Sequence, residues 1–351
     1  MRLMKWLAGA YAAGTLFAQS QTPEQSKPQY FDEPNFIVAG VADPTARGGH
    51  GSDPVSHSAD VLAKAAAALR TGAEAPGDES ALRDAIAREP NRADLHHALA
   101  ALEEKQGHAL EAVRDYQRAA ELEPSEANLF DWGSELLDHR AADQAVEVFT
   151  RAARLFPGST RMLLGLAVAL YSRGDYELAG TRFFEATDVK PSDQEPYLFL
   201  GRVSSSAITE SPGFAERMER FARLHPENAW ANYYHGVQLF KQGHEERSQA
   251  LLEKAVQLDP HLGIAFLQLG AMFADRGDLA QAIGAYRSAV AASPSLAEAH
   301  YRLSQVYRKT GAAGDAQKEI EIYRQLQQDS TAAAERERAE VQRFVFELRS
   351  H

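Results

Sequence analysis

Cysteine is absent from the 351 residues, so no disulfide, thiolate metal site or lipidated N-terminal cysteine can form. The fold must therefore hold by packing alone. Basic charge is also scarce: 37 Lys and Arg stand against 49 Asp and Glu, for a net charge of −12. Phosphate-binding surfaces need a basic face, so nucleic acid is not an expected partner. No long block of one sign occurs, and acids and bases interleave as on a well-solvated surface. Beyond Ala18 no segment is apolar enough to suggest a membrane span. What is present is ordinary for a folded protein, with 44% hydrophobic and 25% charged residues. The length suits two or three domains, or one long repeat array.

Residues 1–20 read as a secretory signal peptide. Arg2 and Lys5 precede an uncharged stretch from Trp6 to Ala18, and small residues at Ala18 and Ser20 supply a cleavage pattern. That stretch falls short of the roughly 20 residues a membrane-spanning helix needs, although an uncleaved anchor is the alternative. The expected location is outside the cytoplasm, periplasmic or secreted. Residues 21–56 follow as an extended segment with a glycine-rich loop. It opens with three prolines at Pro23, Pro28 and Pro34 and contains the apolar run Phe36 to Val41.

Proline then marks a period. Pro90, Pro124, Pro157, Pro191, Pro226, Pro260 and Pro294 lie 34, 33, 34, 35, 34 and 34 residues apart. A fixed spacing of this size is the mark of a stacked helical repeat. Small residues recur in register at Ala112, Ala145, Ala179, Ser248, Ala282 and Ala316. Four positions later come Tyr116, Phe149, Phe183, Leu252, Tyr286 and Ile320, and three further on Ala119, Ala152, Ala186, Ala255 and Ala289. Positions i, i+4 and i+7 share one helical face, so the small members allow close approach and the large one fills the gap. Glycines at Gly107, Gly174, Gly243, Gly277 and Gly311 permit a tight turn before this helix, and the proline stops it. Another small residue recurs in the preceding helix at Gly133, Gly201, Gly236 and Gly270.

The pattern resembles the tetratricopeptide repeat, a helix-turn-helix unit of about 34 residues. The stretch His261 to Pro294 matches it best. The resemblance implies an all-α, right-handed solenoid of antiparallel helix pairs over residues 91–328, in about seven units. Residues 57–90 are expected to form a degenerate N-terminal repeat, and residues 329–351 a C-terminal capping helix with Val341, Phe344, Val345 and Leu348 on one face. The fourth unit departs from the pattern. It carries "SSSAITESPG" at the inter-helix turn and Phe214, Met218 and Phe221 at the small-large-small positions, which should widen the packing there.

In this family the first helices line a concave groove that binds peptides. Carried over by position, the groove candidates are Trp230, Tyr233, Tyr234, Phe240, Arg202, Tyr301, Arg302 and Arg308. Aromatic area flanked by arginine suits protein recognition, and the alternative is packing between units, above all for Tyr234 and Phe240. Val237 of the same unit and Leu164, Tyr171, Leu198, Phe199, Leu267, Gln268 and Gln305 of neighbouring units are further groove positions. The lysine and asparagine clamp by which some members hold a chaperone's terminal carboxylate is not matched. Its positions here are Tyr233, Val237, Gln268, Glu298 and Arg302, and only Arg302 fits.

Catalysis and cofactors are not expected. His50, Ser52 and Asp53 are too close in sequence to form a nucleophile-base-orienter set, and His50, Asp53 and His57 follow no metal-ligand spacing. His96 and His97 are neighbours on a helix and point apart. Phe31, Phe36, Val38 and Val41 can dock on the first helices, which would otherwise expose an apolar face. The same segment could instead occupy the protein's own groove, or pair as a strand with a partner. It resembles segments ahead of the repeats in secreted bacterial members of the family. The sequence thus predicts a non-catalytic scaffold binding a protein or peptide segment in its groove. The alternative is a structural accessory subunit of an envelope or secretion assembly that uses residues 31–53 as its contact.

Overall fold

The computed structural model of the chain describes residues 54–71 and 76–349, and those residues form 17 helices and no strand. Residues 1–53, with the expected leader, the apolar run and the docking residues Phe31, Phe36, Val38 and Val41, lie outside the described residues. Two compact units part between Glu123 and Pro124.

The N-terminal unit holds α1 (Pro54–Thr71), α2 (Pro76–Arg88), α3 (Ala93–Gln106) and α4 (Ala109–Leu122). Helices α1 and α2 span the stretch expected to hold a degenerate repeat. Val61 and Ala65 of α1 pack with Leu82 and Ala85 of α2 and with Leu95 and Leu99 of α3. Helix α1 begins at Pro54, inside the segment expected to be extended to residue 56. Proline fits a first helical turn, because its missing N–H would have no intrahelical partner there. His96 is buried, with Nδ1 2.6 Å from Asp115 and Nε2 donating to the Pro90 carbonyl at 3.2 Å. His97 turns away and sets its ring edge-on to Tyr116, 5.3 Å between centroids.

The C-terminal unit continues with α5 (Glu126–Asp138), α6 (Ala142–Leu155), α7 (Thr160–Arg173), α8 (Tyr176–Val189), α9 (Glu195–Gly201), α10 (Ser206–Thr209) and α11 (Pro212–Leu224). It then runs through α12 (Ala229–Lys241), α13 (Glu245–Leu258), α14 (Gly263–Asp275), α15 (Leu279–Ala292), α16 (Ala297–Lys309) and α17 (Ala313–Arg349). Consecutive helices pack as stacked pairs. The small-large-small face is the seam: Ala145, Ala179, Ser248 and Ala282 are fully buried, as are Phe149, Phe183 and Leu252. Phe149 shows how tight it is. A Cβ on Gly133 of α5 would lie 2.6 Å from its ring, and one on Gly165 of α7 would lie 2.2 Å away. One side chain of α6 thus fills the space between two successive first helices.

The turn glycines adopt φ between 79° and 96°, the left-handed region that side chains disfavour. The pair α5–α6 has no glycine at this turn, and Arg140 takes the same conformation at φ 58°. Arg140→Gly is therefore expected to stabilise the unit by about 0.5–1 kcal/mol. A thermal melt with a raised midpoint supports this, and a lowered midpoint contradicts it.

A second repeated device was not visible in the residue types. The residue six positions after the proline ties back to that proline's carbonyl, as Tyr197 does at 3.1 Å, Asn232 at 2.9 Å and His300 at 3.0 Å. Three side-chain types do the same task, which hid the position from a pattern of sizes. Each satisfies a carbonyl just beyond the end of the preceding helix.

The expected boundary at residue 328 does not occur. Helix α17 runs unbroken from Ala313 to Arg349, so the second helix of the seventh unit and the capping segment are one element. After Gly314 it contains neither glycine nor proline, and "TAAAERERAE" is strongly helix-forming, so nothing stops it.

Candidate interaction cleft

The fourth pair is where the array changes. The other first helices of the C-terminal unit run 13 or 14 residues, whereas α9 ends after seven. Ser204, Ser205 and Ser206 follow, residues whose hydroxyls compete for backbone hydrogen bonds. The chain then leaves the helical path and docks sideways. Ile208 of α10 is buried against α8, where a Cβ on Gly180 would sit 3.2 Å from it. Tyr171 of α7 holds the loop, its hydroxyl 3.0 Å from Ser204 Oγ and accepting the Ser204 N–H at 3.2 Å. Ser211 caps α11 by accepting from the Phe214 N–H, and Pro212 opens the helix.

Behind the shortened helix the packing is firm. Phe214, Met218 and Phe221 are buried, and Phe221 stacks on Tyr197 with rings 5.0 Å apart and 6° from parallel. Asp188 of α8 accepts from Arg217 at 2.5 Å and from Arg220 at 2.6 Å. The two guanidiniums hold its carboxyl below the ordinary carboxylate range, against the opposing effect of partial burial. The bulkier seam is thus accommodated by aromatic stacking and a clasped carboxylate.

The two turns missing from α9 leave a cleft of about 500 Å³ against α12. Tyr234 forms its floor. Its ring lies where a Cβ on Gly201 would be, 2.2 Å from Cε2, so only glycine allows this approach. Trp230, Tyr233 and Tyr234 form one aromatic cluster, with centroid separations of 5.3 to 6.0 Å. Arg202, just past the end of α9, carries its guanidinium 5.7 Å from the Trp230 ring centre. Val237 and Lys241 continue the same face of α12, and Phe214 and Ile264 close the sides. This is a concave, largely apolar surface with a few polar groups at its edge, the usual make-up of a binding site.

Of the eight groove candidates, Arg202, Trp230, Tyr233 and Tyr234 meet at this cleft. Tyr234 is only 6% exposed, so it acts mainly by packing. Phe240 is turned toward Leu252, Leu269 and Met272 and does not line the cleft. Tyr301, Arg302 and Arg308 all lie on α16 and do not line it either. Tyr301 pairs with Tyr323 at 5.2 Å, and Arg302 donates to Glu298 of its own helix at 2.6 Å. Leu164 and Phe199 are buried between helices. Sequence reasoning missed Lys241 and Ile264. Lys241 was within reach of it, since it stands four residues after Val237 on the same face.

Among the described residues no helix is long and apolar enough to cross a membrane. Residues 130–195 match the family model of the tetratricopeptide repeat, and residues 270–311 match a model of the TPR repeat. The chain is 25% identical over 230 residues to mitochondrial import receptor subunit TOM70 of Homo sapiens, covering 62% of this chain and 36% of that protein. It thus spans about a third of the length of that relative. The crystal structure of yeast Tom70 is similar with a TM-score of 0.50 at 15% identity, over 76% of this chain and 58% of that one. A tetratricopeptide repeat protein from Parabacteroides merdae ATCC 43184 also gives 0.50, at 14% identity over 72% and 99% of the two chains. These likenesses, the buried small-large-small seam and the stacked helix pairs agree: the chain carries tetratricopeptide repeats in an all-helical fold.

Proposed function

We propose that the protein is a non-catalytic interaction scaffold whose cleft between α9 and α12 receives a segment of a protein or peptide partner. The observation that carries this reading is the departure of the fourth unit. A regular first helix would fill the space beside Trp230 and Tyr233, whereas here it ends and the loop is tied aside by Tyr171 and Ile208. The cleft is preformed by packed helices, so a partner would find its receptor already ordered. The leader-like residues 1–20 support an exported scaffold, meeting its partner in the periplasm or outside the cell.

Site-specific photo-crosslinking in the source cells tests the reading. A benzophenone amino acid in place of Lys241, at the cleft mouth, is expected to trap a discrete protein partner. The same group in place of Leu178, an exposed apolar residue on α8, serves as control. Equal trapping at both positions, or trapping only at Leu178, would contradict the assignment.

A further inference from the structure

We infer that the cleft selects a partner segment in which a bulky apolar side chain stands within a residue or two of a carboxylate. This inference rests on the scaffold reading and specifies the chemistry of what it binds. The cavity of about 500 Å³ falls in the range of small-ligand sites and holds one large side chain with its flanking backbone. Its apolar wall is aromatic, from Trp230 and Tyr233, and such faces accept a ring or a branched aliphatic group equally well.

The charge at the mouth is unlike that of the molecule. The chain carries −12 overall, yet the charged side chains lining the cleft are Arg202 and Lys241, with no acid among them. Among the described residues no salt bridge joins either to a carboxylate, unlike the clasped Arg217 and Arg220 behind the shortened helix. Both cations sit at helix C-termini, Arg202 at the end of α9 and Lys241 in the last turn of α12. Each terminus contributes roughly half a negative elementary charge, so two full positive charges outweigh about one negative. The charge that lines the edge of this apolar hollow is therefore positive on balance. An acidic group on a bound segment would meet it without displacing an internal carboxylate, and Arg202 offers the planar fork that matches a carboxylate. A basic segment would place like charge against like at the same edge.

Selection of a random peptide library on the intact protein tests the inference. Enriched sequences are expected to hold an aromatic or large aliphatic residue beside Asp or Glu. A synthetic peptide of that kind should lose affinity about tenfold or more in Arg202→Glu with Lys241→Glu. The milder Arg202→Gln with Lys241→Gln should give an intermediate loss, with helix content unchanged in both variants. On the charge-reversed protein, a peptide with lysine in place of its acids should regain binding. Enriched peptides without acids, or an affinity unmoved by either charge variant but lost in Trp230→Ala, would overturn this inference and leave the scaffold reading standing. Peptides bound as tightly by Trp230→Ala as by the parent, or no enrichment at all, would overturn both.

Discussion

Replacing Phe149 by alanine is expected to lower the stability of the C-terminal unit by about 3–5 kcal/mol, the usual range for emptying a buried phenylalanine site. The upper end is favoured here because the site cannot easily collapse. The ring lies between Gly133 and Gly165, which have no side chains to move inward. It also contacts Phe130 edge-on at 5.9 Å, and Phe130 in turn carries the Arg161 guanidinium 3.5 Å from its ring centre. Repeat stability is close to a sum over neighbouring interfaces, so the damage should be local. Hydrogen exchange is expected to quicken across α5, α6 and α7 and to stay near parental values in α14 to α16. A loss below about 1 kcal/mol, or an even quickening over the whole unit, would contradict the seam described here. The reciprocal change Gly165→Ala should destabilise as well, and combining it with Phe149→Leu should cost less than the sum of the two.

Raising the pH is expected to destabilise the N-terminal unit through Glu103. This carboxyl on α3 is fully buried; one oxygen accepts from Arg83 at 2.8 Å and the other has no hydrogen-bond partner. Burial pushes its pKa up to about 8, nearby Asp115 adds to the rise, and Arg83 opposes it. Because the folded value lies above the unfolded one, the associated stability is whole below about pH 4.5 and is lost as pH rises through about 8. At roughly 1.36 kcal/mol per pH unit across that window, the loss is on the order of 3–5 kcal/mol. Glu103→Gln removes the charge and nearly keeps the shape. Exchange of the α3 amides should therefore quicken from pH 5 to pH 9, after correction for intrinsic rates, in the parent and much less in the variant. Equal pH dependence in both would contradict the assignment.

The period was legible because packing imposes it. Only small residues fit at Ala112, Ala145 and Ala282, so their spacing survives in the sequence as a repeated size. The tie to the proline carbonyl was illegible for the opposite reason: histidine, asparagine and tyrosine all reach that oxygen. The cleft was half legible. Trp230 and Tyr233 announced an unusual face, and "SSSAITESPG" just after Arg202 announced a broken unit, but the aromatics lie in the next unit, 17 or more residues past that stretch. That the break would open space beside those aromatics depends on where α10 docks, and Ile208 and Ser204 settle that by contacts across helices. Arg302 lies outside this cleft, on α16, where an exposed pair with Glu298 one turn earlier holds its guanidinium.

Fluorine NMR of the protein labelled with fluorotryptophan tests the central claim most directly. Of the three tryptophans, Trp230 lines the cleft, Trp132 lies on α5 away from it and Trp6 falls in residues 1–20, so single Trp→Phe variants assign each resonance. Titration with a library-selected peptide is expected to shift the Trp230 resonance saturably, identified by its loss in Trp230→Phe, while the Trp132 resonance stays in place. A saturating shift of Trp132 with Trp230 unmoved would contradict the account.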